Sequence, residues 1–313
     1  MEAAKWFDQE VAATLDQLSG PGADDRCRTI ARLPQRMGGL GLRCQADLAM
    51  FAHECVGLKG AQRERTALLD SELLTSLLPT LSASEVSILA AGTAHNASCI
   101  LSDASLRVDD AAFGVYLRQR LLLRVTPAGA TCACGEDASN AHLHSCVRIH
   151  GGPRAARHDA VVDILHQSFA LCGLTSCRVE PTVFSRNRSR PDLTLLTASG
   201  AFACDVTVTY PGRPAVSTGR VLEAATRAER AKEAHWLPWA SLSGTRFAAF
   251  ALETTGGVTK KSRRWLRAAL ATTSGPMSPA SAVQWVLGRV AVAVAVGQRV
   301  LFDTALSASA VGV

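Results

Sequence analysis

Apolar residues recur at helical spacing over four stretches near the start of the chain: Asp47 to Leu58, Thr66 to Leu78, Ser84 to Ala91 and Ala111 to Val125. Strand-like alternation is scarce between them, so this part is expected to be mainly helical. Thr126-Pro127-Ala128-Gly129 then breaks the pattern. Beyond Gly151-Gly152-Pro153 the texture changes to a helix from Arg157 to Cys172, a strand from Arg178 to Phe184 and a polar loop rich in arginine. Two segments rich in Thr, Val and Leu follow, Asp192 to Thr197 and Ala203 to Tyr210. Ala198-Ser199-Gly200 between them suits the tight connection of an antiparallel hairpin. A helix from about Arg220 to Trp236, a strand from Arg246 to Glu253 and helices from about Lys260 and Ala280 complete the order α, β, β, β, α, β, α. The expected class is an α/β core preceded by a mainly helical region.

Composition sharpens this picture. At 313 residues the chain exceeds one average domain, which suits a sizeable α/β core with smaller helical or metal-stapled attachments. The net charge of +6 is unevenly placed: residues 1–150 carry 14 Lys and Arg against 17 Asp and Glu, and residues 151–313 carry 19 against 10. The basic later half suits a polyanionic partner. Met1 to Glu10 mixes charges and lacks an apolar segment, so no secretory signal is read and the ten cysteines are expected to be reduced. The apolar run Val290 to Val296, flanked by Arg289, Gln298 and Arg299, is too short to span a bilayer and is expected as a buried helix or strand. No membrane partner is expected.

Cysteine and histidine concentrate in one short segment. Cys132 and Cys134 are followed by His142 and Cys146, close enough to fold around a single zinc ion. If a helix begins near His142, His142 and Cys146 lie at i and i+4 on one face, which favours His142 as the ligand. His144 remains a competitor. The alternative to a zinc site is a buried thiol cluster with surface histidines.

A second constellation is acidic. Asp192 would start one strand of the hairpin and Asp205 would lie within the next, bringing two carboxylates together where Mg²⁺ can be held against a phosphate. An aspartate between Cys204 and Val206 in an apolar strand is costly unless its charge is satisfied. A lysine near the second acid could orient or activate a water beside such a metal, but the place two residues after Asp205 holds Thr207. Lysine occurs only at positions 5, 59, 232, 260 and 261, which makes Lys232 the candidate substitute. Arginine stays protonated and cannot serve as a base. Glu180 is a candidate third ligand. His158 and Asp159 are candidates for contact with phosphate or metal, and Arg186, Arg188 and Arg190 for phosphate binding. Lys260-Lys261 with Arg263-Arg264 reads as a helix face.

Taken in order, Cys132-x-Cys134, His142, Cys146, Arg157-His158-Asp159, Glu180-Pro181, Arg190-Pro191-Asp192, Asp205-Val206-Thr207-Val208 and Lys232-Glu233-Ala234-His235-Trp236 resemble a known family. It is the C-terminal region of non-LTR retrotransposon polyproteins with a CCHC zinc knuckle and a restriction-like, PD-(D/E)xK, endonuclease. Glu253-Thr254-Thr255-Gly256-Gly257 looks like a downstream element of that family, and Gly38-Gly39-Leu40-Gly41-Leu42 like the stretch after a polymerase palm. The resemblance implies a remnant of a reverse-transcriptase thumb region over 1–60, a helical linker over 61–130, a zinc knuckle over 131–150 and an endonuclease over 151–313. It implies structural Zn²⁺ on Cys132, Cys134, His142 and Cys146, and catalytic Mg²⁺ on Asp192 and Asp205. Lys232 and Glu180 would assist catalysis, and Arg157, His158, Arg186, Arg188 and Arg190 would contact nucleic acid. The implied activity is nicking of target DNA to prime reverse transcription, in the nucleus, with retroelement RNA as a further candidate partner and no polymerase activity. Asp109-Asp110 precedes a helix and reads as a cap. The alternatives are an inactive remnant that binds nucleic acid through its zinc segment, and a protein-interaction module.

Overall fold

The computed structural model describes residues 2–58, 60–149, 152–178, 191–197, 200–213, 217–271 and 277–310. Seven helices come first: α1 (Glu2–Ser19), α2 (Asp25–Arg32), α3 (Gln45–Glu54), α4 (Ala61–Leu77), α5 (Ala83–Ala91), α6 (Cys99–Ser102) and α7 (Asp110–Arg120). Three of their starts are marked by side chains that satisfy the free N–H groups of a first turn. Asp24 accepts from Cys27 N, Ser82 and Glu85 form a capping box, and Asp109 accepts from Ala112 N, the capping role expected of it. α1 and α2 fall within the part expected to be mainly helical, although no range was read for them; α2 does carry an apolar stripe, with Cys27, Ile30 and Ala31 buried at i, i+3 and i+4. Trp6, Phe7 and Leu18 of α1 are exposed while Leu15 is buried. Leu15, Ile30, Leu33, Leu77, Leu89 and Leu117 form the core of this region. Gly39 is required where it stands: a Cβ there would meet Leu33 O at 2.0 Å. The Gly39 carbonyl also accepts from the buried Arg120 at 2.9 Å.

The later elements are α8 (Asn140–Ser145), α9 (Pro153–Leu171), β1 (Thr175–Arg178), β2 (Leu193–Thr197), β3 (Gly200–Thr209), α10 (Glu223–Ser243), β4 (Arg246–Glu253), α11 (Lys260–Leu270) and α12 (Pro279–Ala310). The protein is thus mixed α/β, with the α, β, β, β, α, β, α order read from the sequence. The strand expected at Arg178 to Phe184 is found at Thr175–Arg178, and residues 179–184 lie outside the described ones. Strand order in the sheet is β1-β2-β3-β4. The β1–β2 and β2–β3 pairs are antiparallel, and β4 runs parallel to β3, with α10 as the crossover.

Strand alternation divides the sheet into two faces. Leu193, Leu195, Cys204, Val206, Phe250 and Leu252 enter the main core with Val162, Leu165 and Phe169 of α9, Leu266 of α11 and Val286 and Val290 of α12. Asp205 lies on the opposite face, toward α10. Glu253 at the end of β4 accepts from Ala225 N in the first turn of α10, which fixes the helix carrying Lys232 against the sheet.

α12 corrects one expectation. The apolar stretch is not a seven-residue run, because Pro279–Ser307 is long and apolar enough to cross a bilayer by length and composition. Part of its apolar surface is used inside the protein, while Val296 and Val300 are exposed. Val283 to Val294 pack on the sheet core, and Leu301, Phe302 and Ala305 pack with Cys132, Leu143 and Cys146. One helix therefore joins the sheet to the cysteine segment. The Glu253 to Gly257 element is also structural. It closes a turn in which Asn96 donates to Gly256 O and accepts from Val258 N, tying the helical region to the sheet.

Candidate functional site

Two groups of chemically active side chains are assembled. The first is built by local backbone geometry. Thr131 and Asp137 bridge in antiparallel fashion, and Cys132 N donates to Glu136 O at 2.8 Å, so that Cys132 and Cys134 project from a tight turn. Gly135 completes that turn at φ +91°, a left-handed conformation that favours glycine. Ser139 caps α8, and His142 and Cys146 stand one helical turn apart at its end. The four ligand atoms lie within 4.8 Å of one another. Cys132 Sγ is 3.6 Å from Cys146 Sγ, and Cys134 Sγ is 3.1 Å from His142 Nε2.

Of the two histidines that the sequence left open, the structure brings His142 to the thiols. His144 is turned away: it is buried, stacked on Tyr210 with ring centres 4.2 Å apart, with its edge toward Phe302. Burial and the neighbouring Arg157, Arg213 and Arg154 hold its pKa well below the usual imidazole range. Burial pushes the Cys132 thiol up to about 11, whereas Cys146, against its own burial, is held low by the N–H groups of Ile149 and Arg148. Three sulfurs and one imidazole at this spacing form the borderline-soft, four-donor set that Zn²⁺ prefers, so the cluster could hold zinc.

The second group is assembled by tertiary structure. Leu193 pairs with Cys204, and Asp192 N donates to Cys204 O at 2.9 Å, so the ladder continues to bring Asp192 opposite Asp205. Asp192 Oδ2 accepts from Val206 N at 2.6 Å and lies 3.2 Å from His158 Nε2 on α9. Asp205 Oδ2 lies 2.9 Å from Lys232 Nζ and accepts from Trp236 Nε1 at 2.6 Å, both on α10. Lys232 and Trp236 are four residues apart and share a helix face. Burial, together with the hydrogen bond to Asp192 and its negative charge, raises the Asp205 pKa to about 6. Asp192 is held low despite burial, by His158 and by the same shared hydrogen bond. His158 rises to about 9 against its own burial, because Asp192 and Asp159 favour the imidazolium. Two adjacent carboxylates of this kind resist ionising together unless a cation joins them. Their hard oxygen donors fit Mg²⁺.

No protein-family model matches the chain. Over 277 residues it is 38% identical to the Retrotransposable element SLACS 132 kDa protein of Trypanosoma brucei gambiense. This chain is similar to a retrotransposable-element protein. The match takes in 85% of this chain and 23% of that relative, so the chain spans less than a quarter of the relative's length. Likeness of this extent supports descent from a retrotransposon, in keeping with the resemblance carried by the motifs.

The remaining candidate residues divide three ways. Glu180, Arg186, Arg188 and Arg190 lie outside the described residues. His158 joins the carboxylate group. Arg157, expected as a nucleic-acid contact, is only 5% exposed, and its Nη1 donates to Gln298 Oε1 at 2.8 Å between α9 and α12. The sequence could not reveal this, because the partner is far along the chain. It also gave no direct hydrogen-bonding role to Trp236, although the i, i+4 spacing from Lys232 carried the signal.

Proposed function

We propose that this chain is the restriction-like endonuclease portion of a retrotransposon protein, a Mg²⁺-dependent DNA nuclease that nicks a target for insertion. In this reading the adjoining Cys132–Cys146 segment is a zinc knuckle that helps hold nucleic acid, residues 1–60 descend from a polymerase thumb region, 61–130 link them, and the work is nuclear. The observation that carries it is the meeting of Asp192, Asp205 and Lys232, from two strands and a crossover helix, at one point of the sheet. A Lys two positions after Asp205 is absent, and Lys232 supplies an ammonium at the same carboxylate from the neighbouring helix.

Bound Mg²⁺ would supply charge neutralisation at a phosphate and acidify a water. Asp192 and Asp205 are the residues that would hold it. Trp236 fixes one Asp205 oxygen, leaving the other for the metal side. Lys232, ion-paired with Asp205, would orient the attacking water and exchange a proton with it. His158 beside Asp192 offers a positive imidazole to the phosphate.

The test is nicking of supercoiled plasmid by the zinc-loaded chain, with and without added Mg²⁺. Conversion to the open circle only with Mg²⁺ supports the reading. Folded, zinc-loaded protein that binds DNA and never cuts it would favour the inactive, purely binding alternative.

A further inference from the structure

Three arginines crowd together beside the cysteine cluster. Arg154 Nη1 donates to His144 O at 2.8 Å, and Arg213 Nη2 reaches the same oxygen at 3.4 Å. Arg157 is buried behind them, and its burial first, then the charges of Arg154 and Arg213, disfavour its charge. None of the three takes part in an ion pair among the described residues. The Nε atoms of Arg154 and Arg157 are buried without a partner. Guanidinium groups converging on one carbonyl repel one another unless an anion lies between them.

The cysteine cluster accounts for only part of this charge. A zinc ion on three thiolates and an imidazole carries one net negative charge. Arg154, whose Nη2 donates to Cys146 O at 2.7 Å, answers it and leaves the other two uncompensated. Position adds to the case. Arg154 is in the first turn of α9, a 19-residue helix whose N-terminal end carries the positive pole of its dipole. Arg154 and His158 are separated by four residues on that helix, which puts their Cβ atoms about 6 Å apart. His158 in turn abuts Asp192. Arg213 is exposed and half-buried Arg154 is open on one side.

We propose that Arg154 and Arg213, backed by the buried Arg157, grip one phosphodiester of the DNA strand next to the phosphate that faces Asp192 and Asp205. The assignment rests on the nuclease reading and gives it a docking point. The exposed Arg213 can offer its planar guanidinium fork to a phosphate's paired oxygens, and Arg154, whose Nη1 and Nη2 donate to the His144 and Cys146 carbonyls, adds a fixed positive charge at the same spot through its remaining N–H groups. The cysteine segment then sets the strand's register, because its His144 and Cys146 carbonyls position Arg154.

The test uses the full zinc-loaded chain without added Mg²⁺ and a short DNA duplex, with affinity measured over a series of salt concentrations. The double variant Arg154→Gln/Arg213→Gln should bind roughly ten-fold or more weakly. Its slope of log affinity against log salt should fall by about 0.9, the contribution of one phosphate contact. Zinc content should stay at the wild-type value, while the melting midpoint falls modestly because the His144 and Cys146 carbonyls lose their Arg154 donors. Arg213→Gln alone, at an exposed position, should show part of the loss with no risk to folding. An unchanged slope in variants of a DNA-binding wild type would overturn this proposal and leave the nuclease reading standing. Loss of zinc from the double variant would overturn it too, by assigning the arginines to the cysteine cluster. A wild type that does not bind DNA even at low salt would overturn both.

Discussion

The thiol cluster and the carboxylate pair are both four-residue arrangements, yet they are made in different ways. Cys132, Cys134, His142 and Cys146 come from one short segment, where a glycine-closed turn and a capped helix preset their positions. Asp192, Asp205, Lys232 and His158 come from two strands and two helices that only the finished sheet brings together. The first has as many soft donors as zinc takes, so nothing is left over for a substrate. The second has two carboxylates that oppose each other's charge, with a lysine and an imidazole beside them. A closed set suits a structural ion and an open set suits chemistry.

The largest effect that would sharpen this contrast is expected from Cys146→Ser. Structural zinc contributes on the order of 10 kcal/mol of apparent folding free energy. Cys146 also packs with Leu301 and Phe302 of α12, so zinc content should drop below one ion per chain and the melting midpoint should fall steeply. Full zinc retention in this variant would mean that the cluster is not the site. Next, Lys232→Ala should slow cutting by roughly 10²- to 10⁴-fold while leaving zinc content intact. Lys232→Arg should not restore the rate, since its guanidinium cannot give up a proton. Rescue by arginine would reduce Lys232 to a fixed charge.

Acidity separates the two centres further. The folded pKa of Asp205, raised to about 6 from 3.8, stabilises the metal-free protein below the unfolded value, and that stability is lost as pH rises through about 6. His158, raised to about 9 from 6.5, contributes fully below 6.5 and loses its contribution as pH rises through about 9. Metal-free protein should therefore weaken with rising pH, and Mg²⁺, which needs both carboxylates ionised, should offset the loss. The rise in melting midpoint on adding Mg²⁺ should be larger at about pH 8 than at about pH 5. A shift of equal size at both values would place Mg²⁺ elsewhere. The smallest effect is expected from Trp236→Phe, which keeps a ring against Trp239 and Phe247 and removes the donor to Asp205. It should cost about 1–3 kcal/mol of stability by thermal unfolding, and less than ten-fold in cutting rate.

The same contrast explains what was legible in the sequence. Spacing alone singled out the thiol ligands, because turns and caps are local, and it preferred His142 over His144 on helical periodicity. The hairpin put Asp192 near Asp205, since a tight turn fixes which residues oppose each other. Lys232 was reachable by elimination in a lysine-poor chain. Arg157, Arg154 and Arg213 were not, because their surroundings depend on α12, the cysteine segment and the loop after β3 meeting in space. Helix α2 was legible in the same local way, through its Asp24 cap and the buried Cys27, Ile30 and Ala31 at helical spacing, yet no range was read for it.

The account stands most directly on the Asp205→Ala variant, measured for plasmid nicking with Mg²⁺ and for DNA affinity in the same preparation. Asp205 is 3% exposed and engages both Lys232 and Trp236, so its loss should abolish nicking while affinity and zinc content remain near wild type. Nicking by folded Asp205→Ala at the wild-type rate would contradict the assignment and place the cutting chemistry away from this carboxylate pair.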